Sequence, residues 1–161
     1  MNPLEPVRDV MQRTMFNLQF IEDRQDKDGP YEVTQLINSF LGALAHPWEH
    51  FRNELNQISL SDSAGQGWPQ IKKERQTDVN LKNLGDLLRL MRNGIAHGNI
   101  TFLPDERNQI RAVRLWNNNP QGNRTWGTIL TVDVMRSLLD RFVQLTEDLH
   151  ERQNGEWERS A

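Results

Sequence analysis

The chain contains no cysteine. That excludes disulfides, thiolate metal sites and cysteine nucleophiles together, and it fits a cytoplasmic protein. No apolar run approaches the roughly 18 to 20 residues a helix needs to cross a bilayer. The opening residues, MNPLEPVRDV, carry prolines and acids where a signal peptide would place a basic region and then an apolar one. The expectation is a cytoplasmic protein with no membrane partner. A basic excess is also lacking. The net charge is −3, whereas nonspecific coating of nucleic acid needs a dense cationic surface that releases counterions. A local basic pocket remains compatible with that charge. Neither a glycine-rich phosphate loop nor a Gly-x-Ser-x-Gly elbow occurs, and no internal repeat is visible. Any catalysis must use other groups.

What is present is helical periodicity. The 161 residues suit one domain spanning 1–161. Leu4, Val7, Val10, Met11, Met15, Leu18 and Ile21 form the apolar face of a helix from about Pro6 to Arg24, closed by the turn signal Asp26-Lys27-Asp28-Gly29-Pro30. Val33, Leu36, Ile37, Phe40, Leu41 and Leu44 mark a second helix, which Pro47 should kink or restart, because proline lacks a donor and disfavours helical geometry at His46. Residues 59–77 are rich in Ser, Gly and Gln without periodicity, and read as a long flexible loop.

Next comes a helix from an N-cap at Asp78 to Gly98 at the C′ position, with Leu81, Leu84, Leu88, Met91 and Ile95 on its buried face. After it the period drops to 2. Ile100–Leu103 is a short extended piece, and Ile110–Trp116 and Thr125–Leu130 read as a β-hairpin across the turn residues Asn117 to Asn123. Thr131 suits the N-cap of a last helix whose buried face is Val134, Leu138, Leu139, Phe142, Leu145 and Leu149, and the tail from Gln153 reads as frayed. The fold class is therefore mainly α, a bundle of four to five helices with a small β-hairpin placed before the last helix.

The chemistry-bearing residues gather on the helix that ends at Gly98. Asp86, Arg89, Asn93 and His97 recur at helical spacing, with Arg92 one residue off that line. Arg92 and His97 stand about 140° apart on a straight helix, so one chain does not bring them into contact. Cations close to a helix C-terminus complement its negative end, which explains both residues with no catalytic role. Histidine also moves protons near neutral pH, and arginine supplies a fixed cation that can face a developing negative charge, so the same pair suits acid–base chemistry.

Arg92-Asn93-Gly94-Ile95-Ala96-His97, within LLRLMRNGIAHGNI, resembles the Arg-polar-x(3 to 5)-His signature of the HEPN superfamily (higher eukaryotes and prokaryotes nucleotide-binding domains). The likeness is close over Asp78–Gly98 and looser elsewhere, where the helical frame is similar in outline. The resemblance implies a HEPN-like bundle, with residues 100–130 as a hairpin insertion. It implies metal-independent RNA cleavage by a homodimer that joins two copies of the motif, with no cofactor and no metal. His97 would then be general acid or base, and Arg92 would bind the scissile phosphate with its planar fork. Asn93 would orient the imidazole or a ribose hydroxyl, and Gly94 would permit close approach of backbone or substrate. Arg89 would assist phosphate binding, and Lys72, Lys73 and Arg75 would guide RNA from the loop. The resemblance also implies a toxin–antitoxin or defence setting, with an antitoxin or regulatory protein as partner. The alternative is a non-catalytic HEPN-like module that binds RNA, a nucleotide or a protein.

A second motif competes. His46-Pro47-Trp48-Glu49-His50 matches the His-x-x-Glu-His pattern of inverted zinc peptidases. Pro47 falls where the helix should be regular, and no downstream glutamate helix supplies a third ligand, so a helix kink is the preferred reading. Among the five tryptophans, Trp116 and Trp126 are expected to pair across the hairpin, while Trp68 and Trp157 sit in polar segments that suggest exposure.

Overall fold

The computed structural model describes residues 5–24, 32–45, 47–107 and 109–160, with side chains for 8–24, 33–40, 51–107 and 109–152. Its helices are α1 (Glu5–Glu22), α2 (Glu32–Ala45), α3 (Pro47–Gln57), the single turn α4 (Leu60–Ser63), α5 (Leu84–Ala96) and α6 (Val132–Ser160). Between α5 and α6 lie the strands β1 (Ile100–Pro104), β2 (Ile110–Asn118) and β3 (Arg124–Thr131), an antiparallel sheet in the order β1-β2-β3. Among the described residues no helix is long and apolar enough to cross a membrane.

The amphipathic patterns of α1, α2 and α6 give the helices expected of them. Pro47 opens α3, the first-turn position where its missing N–H costs nothing. His46 lies outside the described residues, as do the side chains of Glu49 and His50, so the His-x-x-Glu-His pattern has no described geometry. Helix α6 runs on through Ser160, and the segment from Gln153, expected to fray, is helical; the side chain of Trp157 lies outside those described.

α5 is the centre of the fold. Leu84, Leu88 and Met91 are buried as expected, but Leu87, Leu90, Gly85 and Gly94 are buried too. Two layers explain the wider face. On one side α5 packs against α3 and α2, and on the other it lies against β2. Core residues of every longer helix and of the sheet converge there, among them Leu18, Phe40, Leu55, Val113, Leu115 and Phe142.

Several expectations need correcting. α5 starts at Leu84 with Asn83 as N-cap, its side-chain oxygen accepting from Asp86 N–H at 2.8 Å. Asp78, the expected cap, is instead buried in an ion pair with Arg124. Residues 59–77 are not a plain loop: α4 and a 3₁₀ turn at Ala64–Gln66 occupy their start, and Trp68 is 3% exposed, edge-on to Phe142. The expected hairpin is part of a three-stranded sheet, because the chain after α5 returns as β1 along β2.

Trp116 and Trp126 do not face each other. Trp116 stands opposite Gly127 and Trp126 opposite Asn117, so the two rings project from opposite faces of the sheet. A register difference of one residue has this effect, since side chains alternate along a strand. Trp126 enters the core at 2% exposed, with Asn117, read from the sequence as a turn residue, beside it inside β2.

Candidate active site on helix α5

Helix α5 ends in a Schellman motif. The Gly98 N–H donates to the Ile95 carbonyl at 3.0 Å and the Asn99 N–H to the Gly94 carbonyl at 2.8 Å. Gly98 has φ of 70°, a left-handed conformation that costs glycine nothing and an L side chain roughly 1 kcal/mol. His97 is thereby fixed as the C-cap residue, with its own N–H bonded to the Asn93 carbonyl. The Asn99 carbonyl then accepts from the Trp116 N–H at 3.2 Å, which joins the helix end to β2.

Two further residues draw that junction tight. The Asn117 side-chain amide donates to the Leu90 carbonyl from a buried position. Gly94 lies so close to β2 that a Cβ there would meet the Trp116 carbonyl oxygen at 2.9 Å. The close approach expected of Gly94 is therefore to its own sheet. Gly85, about 180° round the helix, approaches α3, where a Cβ would first meet the Asn56 side-chain oxygen. Neither Asn117 nor Gly85 was singled out from the sequence. Asn117 stands in an Asn-Asn-Asn-Pro run that looks like a turn, and a small residue in a helix gives no local sign of its neighbour.

With two layers covering it, α5 leaves one polar arc. At about 100° per residue, Arg92 lies at one border and His97 at the other, about 140° apart, with Asn93 and Ala96 between them. His97 and Ala96 are exposed, and Arg92 and Asn93 half-buried. Arg89 lies mid-arc, one turn earlier, its guanidinium 3.3 Å from the Asp86 carboxylate in a solvent-exposed pair. Such a pair contributes about 0 to 1 kcal/mol, so Arg89 is readily redirected.

Lys72, Lys73 and Arg75 stand elsewhere. Lys72 and Lys73 line a cavity beside Leu87 and Trp126, near the N-terminal half of α5 and on its sheet-facing side. His97 is about 15 Å further along the helix axis than Leu87. The Lys73 ammonium donates to the Gln76 and Asp78 carbonyls at 3.0 and 2.8 Å. The structure thus gathers Arg89, Arg92, Asn93 and His97 on one arc and sets the basic loop apart from them.

The loop is held by an ion-pair cluster that the sequence did not reveal. Arg124 donates through Nε and Nη2 to the two oxygens of Asp78, at 3.0 and 2.7 Å, and its Nη1 forms an ion pair with Glu74 at 2.9 Å. Arg114 forms an ion pair with the other Glu74 oxygen at 2.9 Å. Burial pushes the Asp78 carboxyl up, but hydrogen bonds from Arg124 and the Arg75 amide, with the charges of both arginines, outweigh it and hold the group below its ordinary value. The Asp78 hydrogen bond raises Arg124 against the opposing effect of burial, with Glu74 and both carboxylate charges adding to the rise.

Among the described residues no group of three or more His, Asp or Glu side chains is placed to hold a metal. No curated protein and no solved structure matches the chain. A family match does exist, and it covers both the motif helix and the frame around it. The family described as HEPN pEK499 p136 matches residues 1–153. The arginine-to-histidine helix thus sits in a match that takes in α1 to α5, the sheet and most of α6, and the chain belongs to this HEPN family.

Proposed function

We propose that the chain is a metal-independent endoribonuclease acting as a homodimer, with each site completed by both protomers. The supporting observation is the polar arc of α5, which carries Arg92 and His97 at opposite borders with only Asn93 and the small Ala96 between them at that level. A second copy laid against this arc about a two-fold axis roughly parallel to the helix sets the Arg92 border of one chain beside the His97 border of the other. The remaining offset is about 7.5 Å along the axis, which the long arginine side chain spans.

In the proposed reaction the 2′-oxygen of a ribose forms a bond to the adjacent phosphorus and the bond from phosphorus to the 5′-oxygen breaks. His97 acts as general acid or base, accepting the 2′-hydroxyl proton or delivering one to the departing 5′-oxygen. The Arg92 guanidinium faces the non-bridging oxygens, where charge accumulates. Asn93, on the arc between them, orients the imidazole or a ribose hydroxyl, and Arg89 adds a second cation along the strand. The products carry a 2′,3′-cyclic phosphate and a 5′-hydroxyl. A toxin–antitoxin or defence setting, with a protein that restrains the nuclease, fits such an activity.

The test is incubation of the purified protein with tRNA and mRNA in the presence of a chelator, followed by mapping of the cut ends. Cyclic-phosphate ends are expected, and both His97→Ala and Arg92→Ala should abolish cutting with unchanged far-UV circular dichroism. Cleavage retained by the His97 variant, or cleavage that depends on added metal, would overturn the mechanism. Tight RNA binding without cleavage, together with harmless expression of the wild type, would favour a non-catalytic binding module.

A further inference from the structure

We infer that the cavity between the 71–81 segment and α5 is a protein-docking pocket, which captures an acidic peptide segment through one large aliphatic side chain. The cavity measures about 280 Å³, just under the range of pockets that enclose drug-sized ligands. It suits an anchoring side chain. Leu87 and Trp126, each 2% exposed, form the floor, and Leu60, Ile71 and Leu81 line it with them. Val79 stands at the cavity 48% exposed, a large aliphatic surface left in water.

Charge selects the occupant. Residues 72–78 and the two arginines bonded to them carry five cations and two carboxylates, in a chain whose net charge is −3. Both carboxylates are consumed within the cluster: Glu74 by Arg114 and Arg124, and Asp78 by Arg124. Lys73 is pinned at the cavity wall by two carbonyl oxygens, which fix its position without cancelling its charge. Lys72 beside it is exposed. An apolar hole bordered by uncancelled cations complements an aliphatic residue flanked by aspartates or glutamates.

RNA also carries negative charge, but single strands are held by backbone contacts combined with stacking of bases on aromatic faces. Among the described residues lining the cavity the only aromatic one is Trp126, buried in the floor. The aliphatic lining therefore favours a peptide. The pocket faces away from the polar arc of Arg92 and His97, so a bound partner leaves that arc open. The inference does not depend on the chain being a nuclease.

The test is a nuclear magnetic resonance titration of the isotopically labelled full chain with the peptide Glu-Asp-Leu-Leu-Glu-Asp, blocked at both ends. The Trp126 indole signal should move saturably. Lys72→Glu and Val79→Asp, both surface changes, should each weaken binding about tenfold or more with unaltered thermal unfolding. An unmoved Trp126 signal overturns the inference. So does equal binding of the uncharged counterpart Gln-Asn-Leu-Leu-Gln-Asn, unweakened binding by either variant, or displacement of the same signals by an oligouridylate, which would make the surface an RNA groove.

Discussion

Gly94 shows how one residue sets the geometry of the candidate site. It lies between Asn93 and His97 in sequence, yet its Cβ position faces β2, where a Cβ would stand 2.9 Å from a main-chain oxygen. Backbone cannot swing aside as a side chain can, so Gly94→Ala must push α5 off the sheet. The expected loss is about 1 to 3 kcal/mol, the usual range for overpacking, measurable by urea denaturation. Because the shifted helix end carries His97, RNA cleavage should fall further than the lost stability alone explains. A variant as stable as wild type would show that α5 and β2 are not clamped there. Gly98 was legible from sequence, since a glycine after an apolar helical run has a strong local meaning. The need for glycine at 94 was not, because its cause is a strand more than twenty residues away.

At the scale of elements, the segment before α5 is the instructive case. Asp78 and Asn83 offer the same capping chemistry to the same helix, and local sequence does not choose between them. The choice is made by Arg124, on a strand distant in sequence, which takes both oxygens of Asp78 and leaves Asn83 to cap. The segment is then laid along the outer edge of β3, with the Glu74 N–H donating to the Gly127 carbonyl at 2.8 Å and the Val79 N–H to the Thr125 carbonyl at 3.0 Å. This arrangement also hides the edge of the sheet from other chains. The Asp78 carboxyl is held below its ordinary value, so its contribution to stability is complete above the unfolded value of about 3.9. That contribution is lost as pH falls through the lower folded value. Asp78→Asn should therefore destabilise the protein at neutral pH by about 3 kcal/mol, the low end for breaking a buried pair, because Glu74 still faces Arg124. The difference between variant and wild type should shrink in acid below pH about 4. Parallel stability curves across that range would remove Asp78 from the account.

At the scale of the whole molecule, the helical frame was readable because each long helix carries its own 3.6-residue pattern, and the family match agrees with it. The pairing of β1 with β2 and the opposite facing of Trp116 and Trp126 were not readable, since both turn on hairpin register, where a shift of one residue exchanges the faces. The same division applies to the candidate site: Arg92, Asn93 and His97 were legible as a local motif, while the surface that two copies would share is not a property of one chain. A mixing experiment reaches it. If each site takes Arg92 from one protomer and His97 from the other, a heterodimer of Arg92→Ala and His97→Ala chains holds one intact site and one lacking both groups. Random exchange makes half of the dimers mixed, so the inactive variants together should recover about a quarter of wild-type cleavage. A site built within one protomer recovers nothing. The same holds for an antiparallel dimer, in which a two-fold axis across the helices sets histidine beside histidine and arginine beside arginine. Recovery near a quarter, absent when either variant is assayed alone, is the outcome the parallel arrangement requires.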